Sequence, residues 1–422
     1  MIRATMPRLV AGSLRHRRWP VLLTLITLTL SLTLLLGVQY LRTEVKQTFL
    51  NTISETDLIV GARSGPMNLL LYSVFHIGNA TNNVHWDTYQ HVTDQDAVDW
   101  VVPLSLGDSH KGYRVIATTE EFFERYRYAS RQSLNMADGE PFGDVYEAVV
   151  GSEVAAALDY RTGTEIVVAH GTGTTSFTQH DDHPFTITGV LEPTGTPVDR
   201  AVLIPLEGFE AIHIGWETGM PQPHQQVGPE EARERDLTPS EVTAMLVGVE
   251  RRIQAMGLQR ELNNYRGEPL TAIMPGATLA QLWNMLGGFE RALLVIAALV
   301  LVASLVGMVA VLLTMQSTRV REMAILRAVG ASPITISGLY MIECLVLVGA
   351  AAVLSLGVWF GGLYALAPWL SQLWGIHIGL RPPSLTELGL LGGALGLAFL
   401  VSLIPAAIGY RRSLAEGLTP RE

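Results

Sequence analysis

A chain of 422 residues has room for more than one domain, and its 48% hydrophobic content lies only modestly above the soluble range, so its apolar residues must be concentrated. Charge is just as uneven: the formal net charge is −10, but Glu44 to Glu290 holds 34 acidic and 15 basic residues, against 5 and 14 elsewhere. That acidic stretch argues against nucleic acid as a partner, and a single cysteine, Cys344, excludes a disulfide framework.

In chain order, the first nearly uncharged run is Trp19 to Tyr40, and Ala292 to Thr318, Pro333 to Arg381 and Leu388 to Tyr410 follow much later. Each contains the roughly 20 apolar residues that cross a bilayer core, so four membrane helices are expected, one N-terminal and three C-terminal. The first run is read as a retained span, because no small-residue cleavage site follows Gly37, with a cleaved signal peptide as the alternative. Pro368, close to Trp369 and Trp374, suggests that the third helix stops there and an interfacial segment follows. Arginines set the orientation: Arg3, Arg8, Arg15, Arg17 and Arg18 precede the first span, Arg319, Arg321 and Arg327 separate the second and third, and Arg411, Arg412 and Arg421 follow the fourth. Positive residues are retained inside, which places both termini in the cytoplasm.

The expected organisation is a cytoplasmic N-terminus (1–18), a span (19–41), an external α+β domain with stalks (42–290), a span (291–316), a cytoplasmic helix (317–332), a span (333–360), an external loop (361–386), a span (387–410) and a cytoplasmic tail (411–422). Within the external domain, Asp57 to Gly61, Val98 to Leu106, Gly112 to Thr118, Tyr146 to Val150, Glu165 to Ala169, Phe185 to Leu191 and Ala201 to Ile204 read as strands. Glu120 to Tyr128, Ser152 to Leu158, part of Pro239 to Met256, and Leu279 to Phe289 read as helices, and the domain is expected to have two lobes. Met67 to Ile77 is too apolar for a loop and too short to span. It is read as a buried helix, with a piece resting near the membrane as the alternative. Gly215 to Leu237 reads as a flexible loop. In the third and fourth spans, Gly357/Gly361, Gly389/Gly393 and Gly392/Gly396 sit four apart, which puts small residues on one face where two helices can approach closely, and tight helix packing is the expectation.

Between the second and third spans lies a charged interruption. Val320, Met323 and Leu326 recur every three residues, so one side packs on apolar surface while Arg319, Arg321, Glu322 and Arg327 stay wet. Gly330 offers a helix stop, and Ser332 with Pro333 an N-cap and first-turn proline. An ordinary loop between spans is the alternative.

The chemistry is mostly one of exclusions. No phosphate-binding Gly-x-x-x-x-Gly-Lys motif occurs, and Lys46 and Lys111 are the only lysines. Neither Gly-x-Ser-x-Gly nor His-Glu-x-x-His occurs, so no catalytic site is expected and ATP is not hydrolysed unaided. Nine of the eleven histidines fall in the external domain, and His180, Asp181, Asp182 and His183 are consecutive. That run is a candidate metal site, zinc being the ion that imidazole and carboxylate suit, with a solvated hairpin tip as the alternative. Glu343, inside the third span, must face protein or water, since a carboxyl in lipid costs about 2.5–3.5 kcal/mol.

Arg319 to Ser332 resembles the coupling segment of the FtsX-like, MacB-type permeases of ATP-binding cassette systems, the type VII or mechanotransmission class. Ile342 to Leu347, with its glutamate, and Pro405 to Ala407 followed by Arg411 to Leu418 are similar to that family's later spans and tail. Val149 to Ser152, Gly163 to Ile166, Phe185 to Pro193 and Val202 to Leu206 resemble successive pieces of the MacB-type periplasmic core. The resemblance implies four transmembrane helices plus a large periplasmic α+β domain in a bacterial inner membrane. It also implies a homodimer and a separate cytoplasmic ABC ATPase that alone carries ATP and magnesium. Arg319, Val320, Arg321, Glu322, Met323, Leu326 and Arg327 would seat on that ATPase. Membrane lipid and a periplasmic partner complete the expected contacts. The load is either an amphiphilic or metal-linked cargo, or an external partner that is switched without transport.

Overall fold

The computed structural model describes residues 17–50, 52–129, 131–171, 182–215, 227–317, 325, 327–374 and 381–415. They form two compact units, one of 1–45 with 286–422 and one of 46–285.

Helix α1 spans Arg18–Leu50, α2 Pro66–Val74, α3 Leu206–His213, α4 Ala255–Asn263, α5 Pro275–Ser317, α6 Pro333–Trp374 and α7 Leu385–Ala415. Of these, α1, α5, α6 and α7 are long and apolar enough to cross a membrane. Leu28, Leu32, Leu35 and Leu36 on α1 meet Leu301, Leu305, Met308 and Leu312 on α5, with Cys344, Leu347, Val348 and Ala351 of α6 and Ala394 and Ala398 of α7. The spacings of three and four put one stripe of each helix inward, while Leu23, Leu30, Leu299 and Val353 face outward. Helix α6 continues through Pro368 to Trp374, so the stop expected at that proline does not occur. In a membrane helix, one lost N–H donor is tolerated where the freed carbonyl finds another partner.

The predicted packing through Gly357/Gly361, Gly389/Gly393 and Gly392/Gly396 is not what brings these helices together. Among the described residues, a Cβ at any of those glycines would meet nothing within 4 Å. The close approaches lie elsewhere. At Gly37 a Cβ would stand 2.6 Å from the Trp359 ring, and at Gly409 it would stand 2.9 Å from Tyr340. Helices α1 and α6 are thus in contact through a glycine that four-residue spacing does not reveal.

The second unit is built on one sheet of eleven strands. In chain order they are β1 (Leu58–Ala62), β2 (Val98–His110), β3 (Tyr113–Thr118), β4 (Met136–Gly139), β5 (Glu147–Val150), β6 (Glu165–Ile166), β7 (Ala169–His170), β8 (Phe185–Leu191), β9 (Ala201–Pro205), β10 (Ala244–Val249) and β11 (Leu270–Ile273). The spatial order is β11-β1-β10-β2-β3-β9-β5-β8-β4, with β7 added to β2 and β6 to β8. The β9–β3 and β8–β5 pairs are parallel and the others antiparallel.

Alternation sorts the side chains into two faces. Ile59, Val102, Leu104, Ile116, Val149, Leu203 and Leu246 join one core that runs across the whole sheet, covered by Leu69, Leu70 and Tyr72 of α2. On the opposite face there are two cores. One joins Val60, Val101 and Val247 to Leu258 and Leu262 of α4, and the other joins Val115, Val150 and Ile187 to Leu206 and Ile212 of α3. The expected two lobes therefore exist on one face only, over a continuous sheet. Met67 to Val74 belongs to the buried helix, not to a membrane-surface piece. The stretch read as partly helical is helical at its end, in Arg252–Gln254 and the start of α4, while its Ala244 to Val249 is a wholly buried strand. One further reading is corrected: the C-terminal part of the expected loop forms a short helix, Pro229–Arg233, with Ala232 buried.

Replacing Gly37 by Val should force α1 away from Trp359 and cost about 1–3 kcal/mol, as overpacking does. Gly357→Ala, where there is space, should leave the melting temperature of the purified protein unchanged or raised.

Candidate functional site

Of the residues expected to seat on an ATPase, Arg319, Val320, Arg321, Glu322, Met323 and Leu326 lie outside the described residues, and Arg327 lies in a helical turn, partly buried. That turn ends at Gly330, whose φ of +98° suits a residue without a Cβ, and whose N–H donates to the Arg327 carbonyl at 2.9 Å. The Thr335 N–H donates to Ser332 Oγ at 3.2 Å, capping α6 one residue before Pro333. Break and restart are thus set by local chemistry.

Polar contacts tie the helix bundle at both ends. At the end nearest Ser317, Arg17 donates to the Met315 carbonyl at 3.0 Å, Gln316 Nε2 to the Pro405 carbonyl at 2.8 Å, and Ser337 to the Ala406 carbonyl at 3.0 Å. At the other end, Arg381 reaches Glu44 at 3.2 Å and Glu387 at 2.7 Å, and lies 4.3 Å over the Tyr40 ring. Arg42 pairs with Glu290 at 2.6 Å. Between them, Ser31 on α1 and Ser304 on α5 share a hydrogen bond of 2.5 Å, and Glu343 is buried with 2% exposure.

Only part of the histidine-rich run falls within the described residues. His180 and Asp181 lie outside the described residues, and Asp182 is exposed. His183 is buried rather than at a solvated tip, stacked on Tyr146 with Nδ1 2.9 Å from its hydroxyl. His110 is likewise satisfied in the core: Nδ1 donates to the Val167 carbonyl at 2.6 Å, and Nε2 lies 2.7 Å from the Tyr160 hydroxyl.

Three other residues do converge. Asp108 sits on β2 within a register shift between Leu106 and Ser109, an irregularity of the kind that re-aims side chains. His170, on β7, is its direct cross-strand partner. His213 ends α3, the helix that follows β9. Asp108 Oδ1 lies 3.1 Å from His170 Nδ1, and Oδ2 lies 3.6 Å from His213 Nε2. One donor atom from each of the three falls within 4.8 Å of the others, so this buried Asp/His/His group has a composition and spacing suited to a metal ion. Sequence spacing carried no sign of it beyond the concentration of histidines in the external domain.

At His76, burial with added repulsion from Arg114 lowers the pKa from 6.5 to about 4. Its φ of 55° is left-handed.

Four helices long and apolar enough to cross a membrane, with a large α+β unit between the first and second, are the architecture of a multi-pass membrane protein that carries an extramembrane domain. The model of the MacB-like periplasmic core domain matches residues 21–247, and that of the FtsX-like permease C-terminal region matches 294–414. The chain belongs to this MacB/FtsX family of ABC-transporter permeases. Members pair with a cytoplasmic ATPase, where hydrolysis resides, and form dimers; the permease domains are not themselves catalytic. Among solved structures, the periplasmic region of MacB from Actinobacillus actinomycetemcomitans is similar at 12% identity, over 55% of this chain and 95% of that one, with a TM-score of 0.34. The extracellular domain of the noncanonic ABC-type transporter YknZ from Gram-positive bacteria is similar at 12% identity, over 51% and 98%, with a TM-score of 0.30. No curated protein sequence matches significantly.

Two outcomes follow from these contacts. Arg381→Met leaves Glu387, whose side chain is 3% exposed, without its ion partner and should cost about 3–5 kcal/mol. Adding Glu387→Met should recover most of that loss in thermal unfolding of the detergent-purified protein. The fold holds His76 neutral, so the unfolded chain takes up the proton first as pH falls. Its contribution is present above about 6.5 and lost as pH drops toward about 4. Unfolding followed between pH 7.5 and 4.5 should show a slope that is shallower in His76→Asn, a residue that tolerates the left-handed backbone.

Proposed function

We propose that this chain converts closure of a cytoplasmic ATPase into motion of its periplasmic domain, and that two copies act together, each engaging one ATPase subunit through 317–332. The reading is carried by the arrangement of the helices. A short segment bearing Arg319, Arg321, Glu322 and Arg327 joins α5 and α6, whose bundle is filled by apolar packing and tied by polar contacts at both ends. A filled bundle transmits displacement and offers no passage through its own interior. Helices α1 and α5, at 33 and 43 residues, exceed the roughly 20 that a bilayer requires, so each has length to act as a stalk.

In this mechanism Arg319, Arg321, Glu322 and Arg327 make the polar contacts to the ATPase, while Val320, Met323 and Leu326 fill its groove. ATP-driven closure biases one of two bundle arrangements, and the periplasmic domain follows. The work done there is transfer or extraction of an amphiphilic cargo. A second reading, a role in divalent-metal handling, is favoured by one specific observation, the Asp108, His170 and His213 group.

Reversing Arg321 and Arg327 together to Glu should reduce co-purification of the ATPase at least about tenfold, the effect of like charges replacing opposite ones at a docking face. Membrane insertion, read by protease accessibility of the periplasmic domain, should be unchanged. Full ATPase recovery with the reversed charges would refute the coupling assignment.

A further inference from the structure

The loop from Gly78 to Asn83, with Arg114 of β3 and with Gly107 and Gly171, lines a polar cleft of about 310 Å³ in the outer unit. Among the described residues that line it, Arg114 alone carries a charge. The stretch from 44 to 290 holds 34 acidic residues against 15 basic, yet Arg114 makes no ion pair with a described residue. Burial holds its guanidinium below the usual arginine pKa, with no carboxylate to counter the effect. The acidic residues next to the lining are already engaged, Asp108 by His170 and His213, and Glu241 by the Asn83 amide. Arg114 is also held in place: Nη1 donates to Asn79 Oδ1 at 3.1 Å and Nη2 to the Gly78 carbonyl. Both acceptors are neutral, so they orient the cation without offsetting its charge, and three of the five guanidinium N–H donors remain.

We propose that this cleft binds a phosphate group, free or as the headgroup of a lipid, with Arg114 as its charge partner. The fixed fork of a guanidinium matches phosphate oxygens in pairs, and such charge-assisted hydrogen bonds are the strong ones. Exposed Thr81 and Asn82 line the same cleft and add a hydroxyl and an amide, so the donors are spread as the several oxygens of a phosphate require. Gly107 falls within the register shift between Leu106 and Ser109, where the ladder of β2 and β3 is interrupted, and its missing side chain leaves a ligand room to approach the backbone. The volume lies at the low end for small-molecule sites, which suits a small anion or the terminal group of a larger ligand. An arginine that only pinned the loop to β3 would need its bonds to Asn79 and Gly78 and nothing from the cleft. All of these residues lie in the outer unit, so the assignment stands independently of ATPase coupling.

The test uses the full chain in detergent at constant ionic strength, with radiolabelled inorganic phosphate in equilibrium dialysis. The expected result is saturable binding of one equivalent per chain, weakened at least about tenfold in both Arg114→Gln and Asn82→Asp. The first variant removes the charge and keeps a side-chain donor, and the second places a like charge at an exposed position, so both should melt with the wild type when phosphate is absent. The gain in melting temperature on adding phosphate should be largest in the wild type. Glycerol phosphate and a short-chain phosphatidylglycerol then compete with the label, and the one that displaces it at lower concentration identifies a free anion or a headgroup as the source. Binding unchanged in either variant overturns the proposal. So does uptake that never saturates, which would mark an adventitious ion only.

Discussion

The periplasmic unit depends on β2 being paired along both edges. Its residues from Val98 to Leu104 bond to β10, and those from Ser105 to His110 bond to β3, so one strand carries the ladders of both halves of the sheet. Because successive side chains point to opposite faces, the same strand supplies Val102 and Leu104 to the shared core and Val101 to one of the two cores behind it. A one-residue slip would exchange those faces along the sheet. Asp108 owes its position to the same strand, within the irregularity between Leu106 and Ser109, where β7 brings His170 beside it.

The membrane unit uses a different rule. Apolar packing alone distinguishes poorly between helix partners in lipid, because acyl chains are as apolar as leucine, so close backbone approach and polar contacts do the selecting. Gly37 against Trp359 and Ser31 against Ser304 set where α1 lies on its neighbours. Gln316, Ser337 and Arg17 then tie carbonyls at one end, and Arg381 gathers Glu44, Glu387 and Tyr40 at the other. These contacts fasten the bundle at both ends.

Much of this was legible before any coordinates. The spans needed only length and charge, and strands such as Phe185 to Leu191 announced themselves by β-branched residues between turn formers. Ala244 to Val249 did not. A strand buried on both faces is a continuous apolar run, and periodicity cannot separate it from a buried helix. The glycine pairs of α6 and α7 misled for a related reason: spacing shows that two small residues share a face, not that another helix lies there. Of the run from His180 to His183, His183 turns inward to Tyr146, a contact that local density of histidines does not announce.

What the sequence determined by itself were the properties set by neighbours along the chain: four apolar spans, the orientation written in arginines, and the break at Gly330 with its cap at Ser332. The family resemblance rested on the same local strings. Tertiary structure alone decided which distant residues meet. Asp108 and His170 are 62 residues apart and touch only because β7 pairs with β2 in one register, and His213 joins them because α3 packs back over the sheet. Local rules bring residues together at spacings of two, three and four, whereas a convergence of this kind depends on strand order and register, which are global properties of the fold.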